Sequence, residues 1–168
     1  MRRKSIDELV ADKIFELVNY VISFRVKPNI TVGTVTELTE TEIDRIKKQY
    51  GIEGVILDVD ETLRKNMKAI PPANQAWIDM IKTKLKVIVV SNGVDGSVQE
   101  FFRLKGIDYI GFAHKPLSRN FRKACAKMEL DPEKVLVIGD DLFSDIYGGK
   151  RHNMTTVKVT KVDDGFEL

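Results

Sequence analysis

The feature that most constrains the fold of this chain is an alternation of short apolar runs with helical stretches after residue 53. Three of the runs consist almost wholly of β-branched residues and leucine, as do strands that are buried on both faces of a sheet. Alternation of this kind predicts an α/β fold with a parallel sheet and helices on both of its faces. The predicted strands are Gly54–Leu57, Val87–Val90, Tyr109–Phe112, Val135–Ile138 and Thr156–Val159, and the predicted helices are Ala73–Leu85, Val94–Lys105, Ser118–Met128 and a short one after Asp141.

The first 50 residues predict two helices that precede this core. Apolar residues recur at three- and four-residue steps from Ile6 to Val26, and Ser5 with Glu8 forms a capping-box pattern. A second helix begins after Thr39 and ends at Gly51. We therefore predict an N-terminal helical extension (residues 1–50) packing on a core domain (residues 51–168).

The apolar face of the first helix has two interpretations. It could pack on the domain or on a second copy of the chain, giving a homo-oligomer. Alternatively, residues 1–26 could lie on a membrane surface, with the basic cluster Arg2, Arg3 and Lys4 near anionic head groups. Charged residues interrupt the stretch, so it is not a transmembrane helix.

Composition narrows the function classes. The 168 residues suit one well-buried core, and the formal net charge of +2 gives no global attraction to nucleic acid. Cys125 is the single cysteine, which excludes an internal disulfide and fits a reducing, cytoplasmic setting. Its helical spacing from Phe121 and Met128 indicates a small core residue and not a nucleophile.

Polar side chains follow four of the predicted strands. Asp58, Asp60 and Thr62 come after the first strand, and Ser91 and Asn92 come after the second. Lys115 follows the third strand, Asp140 follows the fourth, and Asp145 lies a few residues further on. Because ligands bind at the carboxyl ends of strands in such sheets, these groups are predicted to form one site.

The chemistry of that set indicates phosphoryl transfer. Asp58, Asp60, Asp140 and Asp145 would crowd negative charge together, which requires a cation, and all-oxygen ligands favour Mg²⁺ over zinc. A hard cation beside a lysine and a serine can hold a phosphoryl group while a carboxylate attacks phosphorus.

In this order and on these strand ends, the four groups of residues resemble the motifs of the haloacid dehalogenase superfamily, over roughly Gly54 to Val159. The resemblance implies that Asp58 is the nucleophile and that Asp60 is the general acid and base. Thr62 and Ser91 would position the acid and the phosphoryl oxygens, and Lys115 would offset charge between the nucleophile and the phosphate. Asn92, next to Ser91 in the second motif, is also a predicted catalytic-site residue. Asp58, Asp60 through its carbonyl, Asp140 and Asp145 would bind Mg²⁺, with Asp145 acting directly or through water.

A closer resemblance is to the subclass IIIA phosphatases of the YqeG type, which are similar to phosphatidylglycerophosphate phosphatases. It rests on the run from Ile56 to Leu63, on Lys115-Pro116-Leu117 and on the segments Val137–Asp140 and Ser144–Arg151. Glu61 and Asp141 depart from the residues frequent in that subclass. The gaps after Thr62 and Asn92 are too short for a cap domain, so the site should be open. The implied substrate is a phosphate ester, with a lipid phosphate head group as one candidate, and the enzyme could then be peripheral at the inner membrane surface.

Other functions stay open at this point. The ester could be a soluble metabolite or a nucleic-acid 3′-end, although the chain has no broad basic face for nucleic acid. A non-catalytic module that binds phosphate or a partner is the third alternative, against which the intact motifs argue. Asp95 and Asp141 are interpreted as helix caps, Glu61 as a solvated loop residue, and His114 and His152 as non-catalytic.

Overall fold

The computed structural model describes residues 5–113, 115 and 118–162. Its strands are β1 (Ile30–Val32), β2 (Gly54–Leu57), β3 (Lys86–Val90), β4 (Asp108–Ile110), β5 (Val135–Gly139) and β6 (Thr155–Val159). Its helices are α1 (Ile6–Arg25), α2 (Glu40–Tyr50), α3 (Pro72–Lys84), α4 (Gly96–Leu104), α5 (Ser118–Met128) and α6 (Gly148–Lys150), with a π-helix at Leu142–Tyr147. The strands form one sheet in the order β1-β6-β5-β2-β3-β4, and every neighbouring pair is parallel. The predicted α/β class is confirmed.

The central strand β2 is buried along its whole length. Side chains alternate between the two faces of a strand, and accordingly Val55 and Leu57 belong to one hydrophobic cluster while Ile56 belongs to the other. Helices α2, α3 and α4 cover the first face, and α5 covers the second with Phe121 and Cys125. Full burial of one such aliphatic side chain contributes about 1.5–3 kcal/mol, so both faces of the sheet contribute to stability.

Two details differ from the sequence prediction. A short edge strand, β1, was not predicted; it pairs with β6 through Ile30 opposite Val157, and three residues are too few to show a period. Strand β4 ends at Ile110, two residues before the predicted end at Phe112. Phe112 has φ 48°, so its backbone is left-handed and cannot extend the strand. Its side chain is 67% exposed.

Helix α1 begins with the predicted capping box, in which Ser5 Oγ accepts from Glu8 N at 3.2 Å and Ser5 N donates to the Glu8 carboxylate at 2.7 Å. It meets the rest of the chain at the π-helix, where the Phe15 and Phe143 rings make an edge contact at 5.4 Å. Its large apolar side chains are exposed, namely Ile6, Leu9, Val10, Ile14, Phe15, Leu17, Val18, Tyr20, Val21 and Phe24. Among the helices of the described residues, none has the length and apolar character to cross a bilayer.

Helix α2 packs against α3 through buried Ile43 and Ile46. It ends at Gly51, whose φ of 69° is the left-handed conformation that glycine adopts without steric cost. The division of the chain into residues 1–50 and 51–168 stays a prediction. Between β2 and β3 the chain forms α3 as its one helix, and between β3 and β4 it forms α4.

Candidate active site

The site forms where the carboxyl ends of β2 and β5 lie side by side. Leu57 is opposite Ile138 in the sheet, and Asp58 N continues the pairing by donating to Ile138 O at 3.0 Å. The parallel register therefore brings Asp58 and Asp140, one just beyond β2 and the other just beyond β5, to the same edge of the sheet. Thr62 Oγ1 lies between them, 3.0 Å from Asp58 Oδ2 and 3.4 Å from Asp140 Oδ1.

Lys115 is the cation of this site. Its Nζ donates to Asp58 Oδ1 at 2.6 Å and to Asp145 Oδ1 at 2.5 Å, and its side chain is 2% exposed. Burial alone would lower the pKa of Lys115, but the carboxylates of Asp145 and Asp58 outweigh burial and raise it above its ordinary value. Lys115 is therefore a fixed positive charge between two aspartates.

Three carboxylates lie close together at the site, and two of them bind Lys115. Asp58, Asp140 and Asp145 each offer an oxygen within 4.8 Å of the others. Burial, together with the charge of Asp58, raises the pKa of Asp140 to about 6. Burial also raises the pKa of Asp145, against the opposing effect of Lys115. One ammonium group does not balance three carboxylates, and this all-oxygen set fits a hard divalent cation such as Mg²⁺.

Asp145 is placed by the π-helix that follows β5. Asp141 caps that helix, its carboxylate accepting from Phe143 N and Ser144 N, and its own N–H donates to Asp145 Oδ2 at 3.2 Å. Gly139 leaves the room that the Asp145 side chain occupies, because a Cβ at that position would lie 2.6 Å from Asp145 Cβ and closer still to its carboxylate. The position of the Asp145 side chain therefore requires glycine at position 139, directly before Asp140.

The Asp60 carboxylate contacts Arg64 and is not one of the three carboxylates that lie within 4.8 Å of one another. Arg64 Nε donates to Asp60 Oδ1 at 2.7 Å and Arg64 Nη1 donates to Asp95 Oδ2 at 2.7 Å, and the arginine is 3% exposed. The other Asp60 oxygen lies beside Gly93, where a Cβ would come within 3.2 Å of it. Asp95 caps α4 through Ser97 N, as predicted, and its hydrogen bonds with Ser97 and Arg64 lower its pKa well below the usual range. Arg64 therefore joins the loop after β2 to the loop after β3.

Ser91 and Asn92 support the site from β3. Asn92 Oδ1 accepts from Lys115 N at 2.7 Å, so the asparagine fixes the backbone that carries the lysine. Ser91 is buried, and its Oγ accepts from Gly93 N at 3.2 Å. On the other side of the sheet edge, Lys158 Nζ donates to Asp140 O at 2.7 Å.

Every predicted site residue lies at this edge of the sheet, and Asp58, Thr62, Lys115, Asp140 and Asp145 are in mutual contact or close proximity. Sequence reasoning missed Arg64 and Lys158. No sequence pattern signals Arg64, because the segment from Asp60 to Arg64 is a turn and not a helix with a regular side-chain spacing.

The sequence predicts that Cys125, His114 and His152 are non-catalytic. Cys125 is buried in the second hydrophobic cluster, and burial raises the pKa of its thiol to about 11. The His152 ring lies against Phe121, with 5.9 Å between centroids. His114, Pro116 and Leu117 lie outside the described residues, as do Arg2, Arg3 and Lys4.

Comparison with known families agrees with this geometry. A model of the haloacid dehalogenase-like hydrolases matches residues 31–153. The chain belongs to this family of hydrolases, and the expected haloacid dehalogenase-type phosphatase of YqeG-like kind is confirmed.

Two relatives and one solved structure illustrate the likeness. The protein named "Probable phosphatase YqeG" from Bacillus subtilis is 36% identical over 123 residues, which are 71% of this chain and 72% of that protein. The glyceraldehyde 3-phosphate phosphatase of Pyrococcus abyssi is 37% identical over 100 residues, which are 54% of this chain and 42% of that one. A crystal structure of an uncharacterized protein from Listeria monocytogenes serotype 4b superposes with a TM-score of 0.55 at 17% identity, over 65% of this chain and 79% of that one, and supports the fold alone.

Proposed function

We propose that this chain is a Mg²⁺-dependent phosphomonoester hydrolase that forms an aspartyl-phosphate on Asp58. The observation that carries the proposal is the placement of the Asp58 carboxylate. Thr62 and Lys115 hold its two oxygens at 3.0 and 2.6 Å, inside a cluster of carboxylates that fits a divalent cation. A nucleophile held in one orientation next to cationic groups is what attack on an anionic phosphoryl group requires.

In the first step, an oxygen of Asp58 attacks phosphorus while the bond from phosphorus to the ester oxygen breaks. Asp60 gives its proton to the leaving alkoxide. Its Oδ1 is held by Arg64, whereas its Oδ2 lies beside Gly93 and is assigned the proton transfer. Lys115 offsets the negative charge between Asp58 and the phosphoryl group.

In the second step, Asp60 takes a proton from water, whose oxygen attacks phosphorus and releases Asp58 as a free carboxylate. Asp58, Asp140, Asp145 and the Asp60 carbonyl would hold Mg²⁺, which when bound supplies positive charge to the phosphoryl oxygens. Ser91 and Asn92 act from the β3 side, Ser91 toward phosphoryl oxygens and Asn92 through the Lys115 backbone.

For the substrate we propose phosphatidylglycerophosphate. The segments after β2 and β3 contain one helix each, which leaves the sheet edge open to a bulky ester. The relative named glyceraldehyde 3-phosphate phosphatase supports a second candidate, a small soluble phosphate ester. A nucleic-acid 3′-end is the less favoured substrate because the net charge is only +2.

The test is phosphate release with Mg²⁺ or EDTA from phosphatidylglycerophosphate in mixed micelles, glyceraldehyde 3-phosphate and a 3′-phosphorylated oligonucleotide. Asp58→Asn keeps the size of the side chain and should abolish turnover, and acid-quenched labelling with radioactive substrate should place phosphate on Asp58 in the parent chain. Release by Asp58→Asn at the parent rate would refute the nucleophile. A rate of phosphate release in EDTA, after exhaustive metal removal, that equals the rate with Mg²⁺ would refute the Mg²⁺ dependence.

We further propose that residues 1–26 contact a membrane surface, which would place the enzyme peripherally at the inner membrane. The support is the row of exposed apolar side chains along α1 and the basic residues that precede it in the sequence. Deletion of residues 1–26 should abolish co-sedimentation with vesicles that contain anionic lipid. The opposite outcome is a full chain that fails to bind vesicles and sediments as a dimer, while the chain without residues 1–26 sediments as a monomer. That outcome would assign the apolar face of α1 to contact with a second copy.

A further inference from the structure

The guanidinium group of Arg64 joins two carboxylates that lie on different loops. Its Nε donates to Asp60 Oδ1 and its Nη1 donates to Asp95 Oδ2, each at 2.7 Å. The arginine is buried, and both carboxylates are partly exposed. Because a guanidinium group is planar and rigid, contacts through two of its nitrogens fix the orientation of the whole group. The orientation of the donor that holds Asp60 therefore depends on Asp95.

The backbone of Arg64 is held within the turn after β2. Arg64 N donates to Val59 O at 3.1 Å, and Glu61 N donates to Arg64 O at 2.8 Å. These bonds place the Cα atom of Arg64, but an arginine side chain has large rotamer freedom beyond it. A contact at a terminal nitrogen restricts that freedom, and Asp95 provides such a contact.

Asp95 is fixed in turn by helix α4. Its Oδ1 accepts from Ser97 N at 2.9 Å and from Ser97 Oγ at 2.6 Å, while its Oδ2 accepts from Arg64. Helix α4 is anchored by Val98 and Phe102, which are buried in the hydrophobic cluster on the first face of the sheet. A side chain at the end of a packed helix keeps its position more accurately than one on a free loop. The N-cap and the contact with Arg64 thus use different oxygens of one carboxylate.

The loop after β3 also lies beside the oxygen of Asp60 that is assigned the proton transfer. A Cβ at Gly93 would come within 3.2 Å of Asp60 Oδ2, so this oxygen is close to the backbone of the loop. Gly93 N donates to Ser91 Oγ and Tyr109 Oη donates to Gly93 O, both at 3.2 Å, and these bonds hold the loop. One oxygen of Asp60 therefore lies beside this loop, and the other is held from it through the guanidinium group.

We propose that Asp95 is a positioning residue for proton transfer, which acts through Arg64 on Asp60, in addition to capping α4. The proposal rests on the phosphatase function proposed above. A leaving alkoxide is a strong base that departs with a proton from the acid, so its release depends on where that acid is held. A nitrophenolate is a weak base and departs without the proton. Loss of positioning should therefore slow the release of an alkoxide much more than the release of a nitrophenolate.

The experiment compares two esters of similar size, benzyl phosphate, which releases an alkoxide, and 4-nitrophenyl phosphate. The measured constant is kcat/KM, which reports the steps up to departure of the leaving group and not the later hydrolysis of the aspartyl-phosphate. The variant is Asp95→Asn, because asparagine is as good an N-cap as aspartate but carries no charge to hold Arg64. For this variant kcat/KM should fall about tenfold with benzyl phosphate, the effect of about one hydrogen bond to a charged group, and less than about twofold with 4-nitrophenyl phosphate.

A double-mutant cycle tests whether Asp95 acts through Arg64. Asp95→Asn should cause no further loss when it is added to Arg64→Met, because the contact between the two residues is then already absent. The cycle is measured on the alkyl ester that the parent chain cleaves fastest among benzyl phosphate, glyceraldehyde 3-phosphate and phosphatidylglycerophosphate. The matched control is Glu100→Gln, the same change of carboxylate to amide on α4, which breaks an exposed ion pair with Arg103. This control should leave the ratio of the two kcat/KM values at that of the parent chain.

Thermal unfolding checks that Asp95→Asn is folded, and Asp95→Ser, which also keeps a good N-cap, replaces it if it is not. Equal losses for benzyl phosphate and 4-nitrophenyl phosphate, or losses that multiply in the double variant, would overturn the positioning role of Asp95 alone. Absence of Asp58-dependent release from every ester tested would instead overturn the phosphatase proposal.

Discussion

Replacement of Lys115 by methionine tests the electrostatics of the site most directly. Methionine fills a similar volume but removes the ammonium group that donates to Asp58 and Asp145 at 2.6 and 2.5 Å. The two carboxylates would then be buried next to Asp140 without an opposing charge. Removal of one partner from a buried ion pair costs about 3–5 kcal/mol, which for a chain of this size lowers Tm by about 6–20 °C.

The assay is urea and thermal unfolding at pH 7.5 in EDTA, followed by the same measurements with Mg²⁺. The loss of unfolding free energy relative to the parent chain should be largest in EDTA. It should be smaller when Mg²⁺ is added, because the bound cation restores positive charge to the cluster. It should also shrink at pH 5, since the raised pKa values of Asp140 and Asp145 allow protons to relieve the repulsion. Turnover should be lost under all of these conditions.

The matched control is Lys134→Met, which breaks an ion pair with Glu53 between side chains that are 49% and 52% exposed. Water screens that pair, so its loss should change stability far less. If Lys115→Met unfolds like the parent chain in EDTA at pH 7.5, the cluster does not depend on this charge. The assignment of Lys115 as the cation that balances Asp58 and Asp145 would then be wrong.

Three further predictions concern the same region. Arg64→Met should lower kcat about tenfold to a hundredfold because Asp60 is no longer held in place, with KM changed less, and Arg64→Lys should restore part of kcat in steady-state assays. In metal-free protein the raised pKa of Asp140 means that the folded state holds that proton more tightly than the unfolded state, so this contribution to stability is lost as pH rises from about 4 to about 6. Thermal unfolding should accordingly show a larger stabilisation by Mg²⁺ at pH 7.5 than at pH 5, and a smaller pH difference in Asp140→Asn. Gly139→Ala should displace the Asp145 carboxylate, weaken Mg²⁺ binding in a titration by tenfold or more and cost about 1–3 kcal/mol in unfolding, as overpacking does.

The fold was predictable because β2 and β5 are short runs of buried apolar residues between clear helical patterns. The short edge strand β1 was not, since its three residues carry no period and its place depends on β6, more than a hundred positions away. The left-handed turn at Phe112 also escaped prediction, because a bulky aromatic residue gives no local sign of positive φ.

The positions of the site residues were predictable from the rule that strand ends meet at one edge of a parallel sheet. What could not be predicted is how their side chains pair. The carboxylate of Asp60 is held by Arg64, and Arg64 also reaches Asp95 on a different loop. The contribution of Lys158 depends on β6 lying next to β5, which is a property of strand order and not of any local pattern.

The strand order also has a consequence for how the chain is made. The central strand β2 lies between β3 and β5, and the hydrogen bond between Thr62 and Asp140 joins residues 78 positions apart. During synthesis Asp58 therefore leaves the ribosome long before Asp140 and Asp145. The apolar strand β2 has one unpaired edge until β5 has been synthesised. Contacts this distant in sequence form late and slowly. The carboxylate cluster can thus assemble only after most of the chain has been synthesised, and a chain that ends before Asp145 cannot form it.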